Sequence, residues 1–254
     1  MHIILTGATG LVGSGVLDAL IKAKDITKIS ILTRRPIPMA DAANDSRINV
    51  IIHKDFNTYD PKVLEQLQGA RGCVWALGIS QTQVSAEDYV KITKDYTLAA
   101  ARSFATLSSA TASDPFRFVY VSGEGATQTP GRFSQIFARV KGETETELAE
   151  LTKQTPTLRA DSARPAFVDA AAHKEILPYI PTQTIMLRLS TMVLGPPIKL
   201  AYKAFHSPTD MLGEFLMGMA MGKMDGKLEE GKGAYKIGPS WVVGNAGIRR
   251  AMGL

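Results

Sequence analysis

In the stretch FARVKGETE, residues 137 to 145, Phe137 and Lys141 stand four positions apart. On a helix that spacing puts both side chains on one face, one turn apart. A lysine beside a hydroxyl-bearing aromatic is a proton-transfer pair, but here the aromatic carries no hydroxyl. Lys141 keeps three N–H donors, and burial lowers a lysine's pKa towards neutrality. Ser134 lies three residues before Phe137 and can donate a hydrogen bond, yet its unshifted pKa makes it a poor acid alone. The plain alternative is a core aromatic followed by a solvated helix charge.

A second cluster opens the chain. TGATGLVG sets glycines at 7, 10 and 13 between an apolar run and a helical pattern. Gly7 permits a sharp turn, Gly10 lets backbone approach a diphosphate, and Gly13 lets the helix lie close to the sheet. With Thr9, Leu11 and Val12, the turn offers the N–H groups and positive end of a helix N-terminus to phosphate. The spacing is GxxGxxG, not the commoner GxGxxG, and a structural turn with incidental glycines is the alternative. Arg34 and Arg35 follow the second apolar run, and no acidic residue lies between Ile26 and Ala40. Paired guanidiniums suit a ribose 2′-phosphate, whereas a carboxylate would suit the free 2′-hydroxyl, so the predicted cofactor is NADP(H). Asp55 and Phe56, after the third run, are placed against the adenine, with a helix cap as the other use of the aspartate.

The elements that must position these residues alternate. Strands are predicted at 2–6, 28–33, 48–53, 73–78 and 116–122, with a sixth inside PTLRADSARPAFV. Helices are predicted over 10–23, about 86–109 and 133–153, with a short one at VLEQLQ. Short apolar runs separated by helices give βαβ units: an α/β, Rossmann-type doubly wound parallel sheet. After Pro165 the rhythm fails. SPTD at 207–210 predicts a helix start with Ser207 as cap, Pro208 in the first turn and Asp210 at the capping-box position. The methionine-rich helix it opens is read mainly as core filler, and residues 226–240 as an exposed loop or hairpin. The whole of 1–254 is thus one domain, with 166–254 contributing a small substrate-side cap.

Composition narrows the classes. The 254 residues are 45% hydrophobic with a net charge of +5 and scattered basic residues. That predicts a globule with a sizeable core and no nucleic-acid partner. Cys73 is the single cysteine, so no internal disulfide forms, and a reducing, cytoplasmic setting is expected. The apolar stretch 184–202 is broken by Arg188, a Pro pair and Lys199 and is not read as a transmembrane segment. The histidines at 2, 53, 173 and 206 lack metal spacing, and His173 is expected on a helix surface.

With the glycine turn, DYTLAAARSF, VYVSGEGA, VKGETE and RPAFVD in view, the chain resembles the short-chain dehydrogenase/reductase superfamily over about residues 1–170. More narrowly it resembles the atypical Tat-interacting-protein-like, NmrA-like and sugar-nucleotide-epimerase-like branch. The resemblance implies a nicotinamide dinucleotide and hydride transfer. It makes Ser122 the catalytic serine and maps the YxxxK pair onto Phe137 and Lys141. It sets Ala76, Leu77 and Gly78 near the cofactor ribose and Pro165 near the nicotinamide. Three uses of the site stay open. Lys141 serves as the acid of a reductase, as in the phenylpropanoid-type reductases, which the site resembles in having a lysine and no tyrosine. Or Lys141 is the base of a non-redox isomerase or cyclase. Or the chain is a redox-silent, cofactor-sensing binding protein. General acid catalysis is worth about 10²–10⁴-fold, so its loss leaves a slow reductase rather than a dead one. The expected substrate is a small hydrophobic molecule, and the helix bearing Lys141 is a possible homodimer face.

Overall fold

The first apolar run forms β1 (His2–Thr6), buried along its whole length as a strand covered on both faces must be. It pairs in parallel with β2 (Lys28–Thr33) on one side and β4 (Gly72–Trp75) on the other. In this computed structural model, which describes residues 1–107, 111–180 and 205–254, one eight-stranded sheet organises the chain. Its remaining strands are β3 (Ile48–Ile52), β5 (Phe116–Val121), β6 (Leu158–Arg164), β9 (Ala234–Ile237) and β10 (Ser240–Gly244). The order is β3-β2-β1-β4-β5-β6-β10-β9, parallel except for β9. Strand order therefore reverses between β1 and β4, and a crevice opens beyond their carboxyl ends.

Each face buries its own core. On one side α1 (Leu11–Lys22) lies beside the methionine-rich helix α7 (Thr209–Ala220). A Cβ on Gly213 would come within 2.3 Å of the Gly15 carbonyl oxygen, so the two helices touch backbone to backbone. Met211, Met219 and Met224 are buried there with Leu17, Leu20 and Phe215. On the other side α3 (Pro61–Leu67), α5 (Tyr96–Phe104) and α6 (Ile136–Gln154) cover Phe104, Phe116, Phe118 and Trp75. A short helix, α4 (Ala86–Val90), leads into α5 through a π-helical turn at Lys91–Asp95. The helix α2 (Pro38–Ala43) follows the Arg34–Arg35 turn.

The C-terminal third departs from expectation. Residues 226–240 are the exposed hairpin segment expected, with only Ala234 and Ser240 buried, but the hairpin's second strand, β10, inserts beside β6 and extends the main sheet. Ser207 does not cap α7. It belongs to β8 (His206–Pro208), which pairs with β7 (Phe167–Asp169) in a small second sheet. Its hydroxyl donates to Asn245 Oδ1 at 2.6 Å and accepts from the Ala166 N–H at 3.0 Å. His173 is buried, not on the surface: its ring bonds Asp18 Oδ2 and Thr209 Oγ1, each at 3.0 Å, clasping the loop after β7 onto the α1–α7 pair. The last helix, α8 (Asn245–Ala251), starts at the end of β10. The stretch 184–202 lies outside the described residues, among which no helix is long and apolar enough to cross a membrane.

Candidate functional site

The crevice at the strand reversal is built from the glycine turn. Gly7 has φ +69°, which favours glycine, and a Cβ there would meet the Ala76 carbonyl oxygen at 2.2 Å. A Cβ on Gly13 would meet the Gly7 carbonyl oxygen at 2.1 Å, so α1 starts against the turn itself. Gly10 is the N-cap of α1, and neither a side-chain cap nor an acidic residue meets the first turn. The N–H groups of Leu11, Val12 and Gly13 have no intrahelical acceptor and face outward with the helix dipole. Beyond them lies a cleft of about 400 Å³ lined by Gly7, Thr9, Thr33, Arg34, Arg35 and Leu77. Its floor is fixed by Thr6, whose Oγ1 accepts the Leu77 N–H at 3.2 Å. Both arginines are exposed, and Arg35 Nη2 reaches across the cleft to Thr9 Oγ1 at 3.2 Å. The open cleft, the uncapped amides and the two exposed guanidiniums could hold the phosphates of a dinucleotide.

Asp55 and Phe56 contribute less than expected. The Asp55 carboxylate accepts from the Asn57 N–H at 3.0 Å and the Thr58 hydroxyl at 2.9 Å, and these bonds hold its pKa below the usual value. It closes its own turn and caps no helix; the cap of α3 is Asp60. The Phe56 ring is buried edge-on against Trp75, so it is a core side chain and not a wall of the cleft.

The chemistry-bearing residues gather at the carboxyl end of β5. Lys141, on the second turn of α6, donates to the Ser122 carbonyl at 2.7 Å and the Val121 carbonyl at 3.2 Å. Its ammonium stands 5.7 Å from the centre of the Tyr120 ring. Burial lowers its pKa to about 8, with the nearby Glu145 carboxylate opposing the shift. Ser122 Oγ is buried and has no partner among the described residues. Such a hydroxyl is costly unless something else completes it. Phe137 shares the Lys141 face as its spacing predicts, with its ring packed over Gly125 at 3.5 Å from a Cβ position there. Pro165 is buried, and its carbonyl accepts the Glu124 N–H at 2.9 Å, tying the end of β6 to the loop after Ser122. Gly78 is exposed, with nothing within 4 Å of its Cβ position.

Among the described residues, neither Tyr120 nor Ser134 restores the missing phenol. The Tyr120 hydroxyl is fully buried in the helix-facing core, where burial raises its pKa well above normal. Ser134 precedes α6 and accepts the Gly131 N–H at 2.9 Å, so it closes a turn and is not on the Phe137 face. The sequence reading also missed three supports. Gln81 accepts the Phe137 N–H at 3.0 Å and donates to Gln135 at 3.1 Å, bracing the start of α6. Gly142 lets the loop press onto the helix: a Cβ there would sit 1.9 Å from the Thr127 carbonyl oxygen. Glu145, one turn past Lys141, is buried and paired with Arg164 of β6. Only the last left a visible signal, the KGETE spacing. Among the described residues no cluster of His, Cys, Asp or Glu suits a metal ion.

No model of a protein family matches the chain. Botcinic acid biosynthesis cluster B protein 16 of Botryotinia fuckeliana (strain B05.10) is 47% identical over 139 residues, 55% of this chain and 87% of that protein. Leucinostatins biosynthesis cluster protein T of Purpureocillium lilacinum is 34% identical over 215 residues, 77% of this chain and 76% of that one. Among solved structures, a short-chain type dehydrogenase/reductase from Mycobacterium ulcerans superposes with a TM-score of 0.67 at 14% identity, covering 97% of this chain and 89% of its own. The Bordetella bronchiseptica enzyme WbmF, solved with NAD+, gives a TM-score of 0.64 at 14% identity, with 96% and 72% covered. At such identities the likeness is one of fold, and the fold is that of the short-chain dehydrogenases/reductases.

Proposed function

The chain belongs to the same family as the botcinic acid cluster protein 16 and the leucinostatins cluster protein T, and on that premise we propose that it is an NADP(H)-dependent reductase of a biosynthetic route to a small molecule. Its substrate is a carbonyl or enone compound of hydrophobic character. The observation that carries this reading is the pairing of an orphaned serine hydroxyl with a half-buried lysine ammonium at the carboxyl end of β5, on the sheet edge that also carries the glycine-turn cleft.

Bound NADPH supplies the reducing equivalent. The amides of Leu11, Val12 and Gly13 hold its diphosphate, and Arg34 and Arg35 hold its 2′-phosphate. Ser122 donates a hydrogen bond to the substrate's carbonyl oxygen. Lys141 gives that oxygen a proton from its ammonium, directly or through one water, because a pKa of about 8 makes it a usable acid near neutral pH. Phe137 offers no hydroxyl on the substrate side of this pair, so the transferred proton falls to Lys141. That absent hydroxyl also favours a second reading, in which Lys141 is the base of a non-redox isomerisation on the same fold.

Incubation of the protein with NADPH and a panel of hydrophobic ketones, quinones and enones tests the proposal. Consumption of NADPH in step with formation of the alcohol, hydroquinone or saturated ketone is expected for at least one class. Conversion at the same rate without nucleotide contradicts the reductase reading and supports the isomerase.

A further inference from the structure

Behind Lys141 lies a charge arrangement that binding and proton donation as described above do not require. Glu145 follows Lys141 by one helical turn, a spacing that brings the two side chains to about 5–6 Å at Cβ. Its side chain is inaccessible to solvent. Arg164, at the end of β6, grips it with both arms of the guanidinium, Nε to Oε1 at 2.8 Å and Nη2 to Oε2 at 2.5 Å. Gln128, from the loop after Ser122, donates a further short hydrogen bond to Oε2. Gln128 is itself held by the Tyr235 hydroxyl at 2.9 Å, and the Arg164 guanidinium lies 5.5 Å from the Tyr235 ring centre. The C-terminal hairpin, the loop after Ser122 and β6 thus meet at one carboxylate.

Among the described residues, that carboxylate is the charge that acts on Lys141. On β5 the lysine faces two backbone carbonyls and the Tyr120 ring, all uncharged. On its own helix the Thr144 hydroxyl is spent on the Val140 carbonyl. Lys94 of the π turn is engaged by Glu143 and Glu147 on another face of α6. Glu124, in the loop after β5, feels Arg164 and is pushed towards its neutral form by burial. The Tyr235 phenol of β9 is raised by burial and stays neutral. In a medium of low dielectric a net charge one helical turn away shifts a lysine strongly, so what matters is how far Glu145 is neutralised.

We propose that Arg164 and Glu145 form a positioning pair that sets the protonation range of Lys141, the guanidinium cancelling a carboxylate that would otherwise hold the proton too tightly. The proposal rests on the reading of Lys141 as proton donor, but its test does not need turnover. Removal of either partner must move Lys141 in opposite directions, an outcome that a merely structural ion pair does not produce. Glu145→Gln leaves a cation near the ammonium and makes it more acidic. Arg164→Gln leaves an anion and makes it less acidic.

The experiment is NMR titration of the lysine Nζ signals in full-length, isotopically labelled protein, with Lys141→Arg identifying the signal. Relative to wild type, the midpoint is expected about one pH unit lower in Glu145→Gln and about one unit higher in Arg164→Gln. It should return near the starting value in the double variant and in Arg164→Lys. Gln128→Leu strands no buried charge and concentrates charge on Glu145, so it is expected to raise the midpoint by a few tenths even if a single charge variant fails to fold. Midpoints that do not move, or that move the same way in both charge variants, overturn the proposal. Ordered shifts in a protein whose turnover survives Lys141→Met would instead uphold the coupling and remove Lys141 from the chemistry.

Discussion

Lys141→Met is expected to lower kcat/KM for a reducible ketone by about 10²–10⁴-fold, the usual worth of a positioned general acid. Methionine keeps the unbranched stem beside Tyr120 while removing the ammonium and its two bonds to β5. The pH dependence gives the sign. An acid works while protonated, so wild-type activity should be level below pH 8 and fall as pH rises through the Lys141 pKa of about 8. The variant's residual activity should lack that limb. Activity that instead rises through this region would identify Lys141 as a base and favour isomerisation. A variant as active as wild type would remove Lys141 from the mechanism.

Gly13→Ala should be as damaging by a different route. The added methyl would sit 2.1 Å from the Gly7 carbonyl oxygen, a distance that only backbone movement can relieve. That movement separates the start of α1 from the turn and misaims its amides. Loss of two charge-assisted hydrogen bonds to a diphosphate corresponds to about 3–6 kcal/mol, or a 10²–10⁴-fold weaker Kd for NADPH. Strain in the packed interior adds roughly 1–3 kcal/mol of lost stability, visible as a lower Tm. Gly10→Ala separates the two effects, because a Cβ there comes no closer than 3.3 Å to protein. It should weaken NADPH binding while leaving Tm nearly unchanged. Wild-type affinity in Gly13→Ala would contradict the assignment of the turn.

Much of this architecture was legible because a parallel sheet buries both faces of its strands. HIILT, KISILT and FRFVYV read as short, mainly apolar runs, and each is a strand within a residue or so of where composition puts it. The Phe137–Lys141 relation was equally plain, since helical spacing is local. What escaped depends on partners far along the chain. Ser207 looks like a cap until β7 claims its backbone and Asn245 its hydroxyl. His173 looks exposed until Asp18, 155 residues away, accepts its ring. α6 starts three residues later than its pattern predicts because Ser134 closes a turn with Gly131, which local propensity does not register. Likewise the last hairpin's pattern permits an exposed ribbon, and only the open edge of β6 draws β10 into the sheet. Arg164 and Glu145 are separated by the second half of α6, a loop and β6, so their pairing was invisible.

The central claim is that this cleft takes NADP(H) by its diphosphate and 2′-phosphate. Calorimetric titration of the purified protein with NADPH and with NADH addresses it without any substrate. The expected result is NADPH binding at least about tenfold tighter than NADH, with the difference erased in Arg34→Ala/Arg35→Ala. Tighter binding of NADH, or no heat with either nucleotide, would contradict it.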